Sequence, residues 1–186
     1  NKESIKLKKE LEEIKSLGAS YAVLANTYFS KGDFSLALET GIKAIAIFRA
    51  NKMVNFEARA LVLVSDSLMH LGRYKEMRGY TAQAESILAD FDEPFLIGKL
   101  ELMHSHYRLN ENDINAAIDH VDSCIDLFEI AEQKPFLIDA YIHKMNLLIR
   151  QNTLSKAKRV MSKINMQFKK LAESEERPLL EIFRLR

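Results

Sequence analysis

Cysteine, proline and glycine are all scarce in this chain of 186 residues, which contains one, three and six of them respectively. The lone Cys124 excludes an internal disulfide, which fits a reducing compartment. So few prolines and glycines leave little room for long loops or low-complexity segments. No apolar run reaches about 18 residues, so the sequence predicts no membrane span. Hydrophobic residues still make up 47% of the chain, which is enough for a continuous core.

The two ends of the sequence suggest a piece of a longer protein. The start, 1–4, has neither an initiator methionine nor an apolar signal segment, and from this we also expect a cytoplasmic location. The last segment, 178–186, is mostly apolar, and a helix of that composition should not face water. We expect it to begin a further repeat that later sequence completes. Burial in a homodimer is the alternative.

Charge is balanced overall but not locally. The net charge of +1 favours neither a nucleic acid nor a membrane as partner. Residues 85–140 carry 13 acidic and three basic side chains, whereas 141–170 carry eight basic and no acidic ones. This asymmetry makes the second half the place to look for a local electrostatic role.

A short motif returns every 40 residues. It has a turn-forming residue, a large apolar residue two positions later and usually an alanine after that. The four copies begin at Gly32, Gly72, Asn112 and Asn152. A motif of this kind is typical of a tight joint between two helices, and its regular return predicts a helical solenoid.

Apolar residues recur with helical spacing between these joints. They predict an opening helix over about 3–16 that stops at Gly18, and a second over about 19–31. Asp33 is the expected N-cap of the next helix, whose predicted core face is Phe34, Ala37, Leu38, Ile42, Ile45 and Phe48. The remaining predicted pairs are 55–71 with 74–91, 94–110 with 113–131, and 135–150 with 153–172.

Proline marks a second periodic signal. Pro94-Phe95-Leu96-Ile97 returns as Pro135-Phe136-Leu137-Ile138, and a shorter relative begins at Pro178. Proline suits the first turn of a helix, where its missing N–H leaves no hydrogen bond unmade. Each proline is therefore expected to open the first helix of a pair.

The sequence resembles the tetratricopeptide repeat family, in a variant with a longer period of about 40 residues found in bacterial regulatory proteins. The first pair carries the pattern best, and the second keeps most of it. The third and fourth are degenerate, with Asn112 and Asn152 in place of glycine and Glu101 where a large aromatic residue belongs. In the first helix of the third pair, the family pattern fits better when it is shifted by one residue, to Leu100, Met103 and Tyr107. The matching residues of the first pair are Tyr21, Leu24, Ala25, Tyr28, Gly32, Phe34, Ala37 and Ala44.

The resemblance implies an all-α fold, an α–α superhelix forming a single domain over 1–186. Its parts would be an N-terminal helix (1–17), four helical hairpins (18–53, 54–92, 93–133 and 134–175) and the start of a fifth repeat (176–186). It also implies a concave groove, lined by the first helices, that binds a protein or peptide. Asn26 matches one position of the family's carboxylate clamp, but Ala22 replaces its first lysine, which argues against chaperone-tail binding.

Aligning the repeats indicates a binding surface. Equivalent residues of successive repeats, 40 positions apart, form columns, and three such columns would lie along the groove. The first and third columns are mainly polar and the second is apolar. Side chains in such a groove can hydrogen-bond a peptide backbone. The alternative is that these are ordinary solvent-facing and core positions. The predicted peptide-binding residues are Asn26, Phe29, Asp66, Met69, His70, His106 and Asn146.

Two charged stripes fall on successive second helices. Asp119, Asp122, Asp126 and Glu129 share one helical face, as do Lys156, Arg159 and Lys163 one repeat later. The basic stripe is either a docking patch or simply the partner of the acidic one, since Asp119 corresponds to Arg159 across the repeat. We favour the second interpretation here. Nucleic acid is disfavoured because no aromatic residues alternate with the basic ones.

Signatures of catalysis and of metal binding are missing. The sequence has no Gly-rich phosphate loop, no Gly-x-Ser-x-Gly elbow and no His-Glu-x-x-His helix. His104 and His106 are two residues apart, which directs them to different sides of a helix, and Cys124 falls at a core position. We therefore predict no enzyme activity, no cofactor and no metal.

The leading functional hypothesis is a non-catalytic scaffold for a protein or peptide. Two alternatives remain open. One is a sensory or regulatory segment of a bacterial signalling protein, such as a diguanylate cyclase or a transcriptional regulator, whose carboxy-terminal effector domain would be a partner in the same chain. The other is a dimerisation scaffold. The first alternative rests on family analogy rather than on any residue.

Overall fold

The computed structural model describes the backbone of residues 2–172 and the side chains of 12–170. That part of the chain forms eight α-helices and contains no strand, so the predicted all-α class is confirmed. The predicted fifth repeat, 176–186, lies outside the described residues. In chain order the helices are α1 (Lys2–Lys31), α2 (Phe34–Ala50), α3 (Val54–His70), α4 (Tyr74–Leu88), α5 (Pro94–Asn110), α6 (Ile114–Ile130), α7 (Lys134–Arg150) and α8 (Leu154–Ala172).

The helices group into two compact units, residues 1–92 and 93–186. Consecutive helices pack against each other within each unit, α1 to α4 in the first and α5 to α8 in the second. The short joints make hairpins of α1–α2, α3–α4, α5–α6 and α7–α8. The prediction of a single domain over 1–186 stays a prediction.

Each joint inside a hairpin contains one residue with a positive φ. These are Gly32, Gly72, Asn112 and Asn152, with φ of 83°, 69°, 62° and 59°. The following residue donates its backbone N–H to a carbonyl five positions earlier, as Asp33 does to Tyr28 at 2.9 Å. This is the Schellman motif, in which glycine and asparagine tolerate the left-handed backbone best. The predicted period of the joints is confirmed.

Two joints between hairpins have the same backbone geometry, but at residue types that rarely adopt a positive φ. Lys52 and Glu132 both have a φ of 54°. Met53 donates its N–H to Phe48 O at 2.8 Å, and Gln133 donates to Phe128 O at 3.0 Å. Lysine and glutamate carry no sequence signal for a left-handed backbone, so these two joints could not be predicted from residue type.

The predicted helix end at Gly18 is wrong, because α1 continues through it to Lys31. Gly18 is buried, and a Cβ atom there would lie 2.8 Å from Phe48 Cε1 and 2.9 Å from Ile47 Cγ2. Its lack of a side chain therefore permits close packing of α1 on α2. Ile42 was also misplaced, since it is 41% exposed rather than part of the core face of α2.

Helix starts follow the sequence signals in part. Pro94 and Pro135 lie in the first turns of α5 and α7, as predicted. Asp33 occupies the N-cap position of α2 but makes no side-chain capping bond, contrary to expectation. Asp113 does cap α6, accepting a hydrogen bond from Ala116 N at 3.1 Å.

Phe128 is the centre of the aromatic core of the second unit and is fully buried. Its ring centre lies 5.9 Å from that of Phe95 and 5.8 Å from that of Phe136, which are 4.9 Å apart from each other. Phe95 and Phe136 are the equivalent residues of the repeated Pro-Phe-Leu-Ile motif. The motif therefore does more than open helices, because its phenylalanines join α5, α6 and α7.

Two helical glycines form a matched pair for a stability test. A Cβ on the buried Gly41 of α2 would lie 2.7 Å from Val64 Cγ2 of α3, whereas one on the exposed Gly79 of α4 would meet no atom within 4 Å. We expect Gly41→Ala to lower the free energy of unfolding by about 1–3 kcal/mol. Gly79→Ala should raise it by about 0.5–1 kcal/mol, because alanine favours the helix. Urea denaturation measures both, and destabilisation by Gly79→Ala would contradict this account.

Candidate functional site

Within the first unit, three rings meet where α1, α2 and α3 come together. His70 stacks on Phe34 with ring centres 4.3 Å apart and an interplanar angle of 3°. Phe29 meets both rings edge-on, at 5.3 Å from Phe34 and 5.4 Å from His70. The side chain of His70 nevertheless remains 43% exposed. The predicted site residues Phe29 and His70 are thus brought together, with Phe34 as an addition.

Asp66 contacts the histidine of this cluster. Its carboxylate oxygen lies 3.6 Å from His70 Nε2, one helical turn away on α3, and the residue is only 6% exposed. Met69 is 9% exposed and so belongs to the core rather than to an open apolar wall. Both are less accessible than a groove-lining position would require, and Asp66 instead contacts His70.

Asn26 is exposed on α1, as the groove prediction requires. Its amide nitrogen donates to Ala22 O at 2.9 Å, within the same helix. The side-chain oxygen takes no part in this bond. Asn146 of α7, in the second unit, is exposed as well.

Within the second unit, His106 of α5 stacks on His143 of α7, with ring centres 3.9 Å apart. His143 Nε2 lies 2.9 Å from Ser105 Oγ, and Ser105 Oγ donates to Ala117 O at 2.6 Å. Since the serine proton is directed at a carbonyl, His143 donates to Ser105 Oγ through Nε2. Sequence reasoning missed Ser105 and His143, which are 38 residues apart.

The Ser105–His143 pair is unsuited to nucleophilic catalysis. Ser105 is fully buried, and its proton is committed to Ala117 rather than to the imidazole. Burial, the adjacent His106 ring and Arg150 lower the pKa of His143 to about 3. The arrangement is therefore a structural joint between α5, α6 and α7.

A second histidine contact explains a departure from the repeat pattern. Glu101 occupies the place of the usual large aromatic residue, and its carboxylate lies 2.7 Å from His120 Nδ1 of α6. His104 packs beside His120 with ring centres 5.3 Å apart. Leu100 and Met103 are buried at 3% and 1% exposure, which supports the shifted register of this helix.

The charged stripes do not pair as expected. Lys144 of α7 is the ionic partner of Asp122, and Glu129 accepts a hydrogen bond from Tyr141 Oη at 2.9 Å. Among the residues that the structure describes, no ion pair joins Asp119 to Arg159. The interpretation of the basic stripe as the partner of the acidic one is therefore wrong at this position.

Cys124 is fully buried, as predicted, and burial raises the pKa of its thiol.

Across the described residues, no three His, Cys, Asp or Glu side chains come close enough to hold a metal ion. In the same part of the chain, no helix combines the length and hydropathy that crossing a membrane requires.

No protein-family model and no curated protein matches this sequence. Among solved structures, the fold is similar to that of a Rap protein complexed with competence and sporulation factor. The TM-score is 0.74 at 15% identity, covering 95% of this chain and 47% of the Rap chain. A second similar structure is BtubC (BKLC) from P. vanneervenii, with a TM-score of 0.68 at 14% identity, covering 86% of this chain and 66% of that one.

This chain spans about half the length of the Rap protein that it resembles. At such low identity the similarity shows the fold and nothing finer. It confirms the predicted class, an all-α fold of repeated helical hairpins of the α–α superhelix type. The narrower assignment to tetratricopeptide repeats remains a prediction from the sequence. The chain is a helical-repeat protein.

Proposed function

We propose that this chain is a non-catalytic scaffold that binds a protein or a peptide through the exposed faces of its first helices. The observation that carries the proposal is the cluster of Phe29, Phe34 and His70. It presents a half-exposed ring that two phenylalanines already hold in place. A side chain that is ordered before binding loses little conformational entropy when it meets a ligand.

Two further observations support a binding role. The Rap protein of similar fold was solved in complex with competence and sporulation factor, so a helical-repeat fold of this type can hold a partner. In the first unit, the exposed amide of Asn26 also suits the backbone of an extended peptide, which offers both donors and acceptors, and Asn146 offers the same group within the second unit.

Selection from a phage-displayed library of random peptides tests this function. We expect enriched peptides whose affinity falls by about tenfold when Asn26 or His70 is replaced by alanine. In the same test, Asp66 should be replaced by asparagine rather than by alanine, because its side chain is buried beside His70 and asparagine keeps its size. Fluorescence anisotropy with the selected peptide measures the affinities.

Thr27→Ala is the matched control for Asn26→Ala. Both side chains are exposed, and each donates to the backbone carbonyl four residues earlier at 2.9 Å. Both variants should melt at the same temperature, while only Asn26→Ala loses affinity. An equal loss in the two variants, or a library that yields no specific peptide, would refute the proposed surface.

A further inference from the structure

We infer that the second unit also carries a docking groove for an acidic peptide segment, formed by α6, α7 and α8. The groove encloses about 490 Å³. Lys144 and Leu148 of α7, with Gln151 directly after that helix, contribute to its lining, between residues of α6 on one side and of α8 on the other. Asn146 lies two residues from both Lys144 and Leu148, which is about 200° around the helix. The groove is therefore separate from the first-helix surface proposed above.

The α8 wall of the groove is basic. Lys156, Arg159 and Lys163 all line it and are exposed, at positions that share one helical face. Helix α8 contains six basic residues and no acidic one. Among the residues that the structure describes, no carboxylate is within ion-pair distance of these three side chains. Lys163 is held instead over the ring of Tyr141, with Nζ 5.3 Å from the ring centre.

The α6 wall carries less charge than its sequence suggests. Asp119 and Asp122 both line the groove, but the ion pair with Lys144 compensates Asp122. Three cations on α8 thus face one uncompensated carboxylate, Asp119. This excess of positive charge attracts an anionic partner, while the carboxylate of Asp119 repels negative groups along the α6 wall.

This polarity favours a peptide over a nucleic acid. A nucleic acid carries a charge on every phosphate, so some phosphates would approach Asp119. A peptide can direct its carboxylates towards α8 and uncharged groups towards α6 and the floor. Leu148 and Val160, both nearly buried, give the lining apolar contacts for such groups.

The dimensions suit a short extended segment. Lys156 and Lys163 are seven residues apart on α8, a rise of about 10 Å along the helix. That length matches about three residues of extended chain. Side chains alternate along an extended peptide, so every second residue would face the basic wall.

Fluorescence anisotropy with a labelled pentapeptide, Glu-Leu-Glu-Leu-Glu, tests the groove in the whole chain at low ionic strength, where such contacts are least screened. We expect this probe to bind and Lys-Leu-Lys-Leu-Lys to fail. Arg159→Glu should weaken binding by about tenfold, the loss of one charge-assisted contact. Lys158→Glu is the matched control, because this substitution changes the charge of α8 by the same amount at a residue that does not line the groove. It should change the affinity by less than about twofold.

The outcomes separate this proposal from its competitors. Equal losses in Arg159→Glu and Lys158→Glu would show diffuse attraction to α8 and overturn the groove. Equally tight binding of an oligothymidylate of the same charge, with the same dependence on Arg159, would assign the surface to nucleic acid. Dimerisation in sedimentation that Arg159→Glu abolishes would assign it to a second copy. Asn26→Ala should leave probe binding unchanged, so failure of the first-helix surface is distinguishable from failure here.

Discussion

Replacing Phe128 by alanine is expected to lower the free energy of unfolding by about 3–5 kcal/mol. The side chain is fully buried between Phe95 of α5 and Phe136 of α7. Its removal leaves a cavity that the phenylalanines of two successive hairpins line. Because α5, α6 and α7 meet at this ring, the site has few ways to collapse around the gap. Urea denaturation followed by circular dichroism measures the loss.

Ile130→Ala is the control for the Phe128 substitution. Ile130 lies on the same helix but is 70% exposed, so its truncation should change stability by less than about 0.5 kcal/mol. Gly98→Ala provides a second check, since a Cβ there would lie 2.8 Å from two ring carbons of Phe128. Its destabilisation should shrink in a Phe128→Ala background, where both ring carbons are absent. Additive effects would contradict direct packing of Phe128 on Gly98.

Acidification from about pH 7 to about pH 4 is expected to cost about 3 kcal/mol of stability through His143 alone. Burial, His106 and Arg150 lower the pKa of His143 from 6.5 to about 3 in the folded protein. The unfolded chain therefore binds a proton between these values that the folded chain does not bind. Stability from this group is complete above pH 6.5 and falls as the pH drops towards 3.

His143→Gln isolates this effect, because glutamine cannot titrate there while its amide can still donate to Ser105. Other groups titrate alike in both proteins, so the difference between their acid losses reports His143. Urea denaturation at the two pH values supplies the numbers, and NMR should show a neutral His143 ring at about pH 4. The same acid loss in both proteins would contradict the neutral state of this histidine.

Local signals in the sequence were sufficient for the helices and most of their joints. Glycine and asparagine tolerate a positive φ, so the joints at Gly32, Gly72, Asn112 and Asn152 were predictable from residue type. Proline has no N–H to lose in a first turn, which made the starts of α5 and α7 predictable as well. These features depend on a few neighbouring residues and not on distant contacts.

The candidate site was only partly predictable. The repeat alignment put Phe29 and His70 in different columns of the predicted groove. It therefore named both residues but did not predict the contact between their rings. Burial of Asp66 and Met69 did not follow, since the alignment gives the order of positions along the stack but not their depth. Their peptide-binding role, like that of His106 and Asn146, remains a prediction.

The sequence by itself determined that this chain is a series of helical hairpins, because periodic apolar spacing and turn residues act over a few positions. Only the tertiary structure decided what the glycines and charges do. Gly18 became a packing site within α1, since Phe48 and Ile47 need the space. Lys144 of α7 neutralises Asp122, and Asp119 does not form the expected ion pair with Arg159, so the α8 wall stays basic. Such outcomes depend on how closely helices approach, a distance that no local pattern encodes.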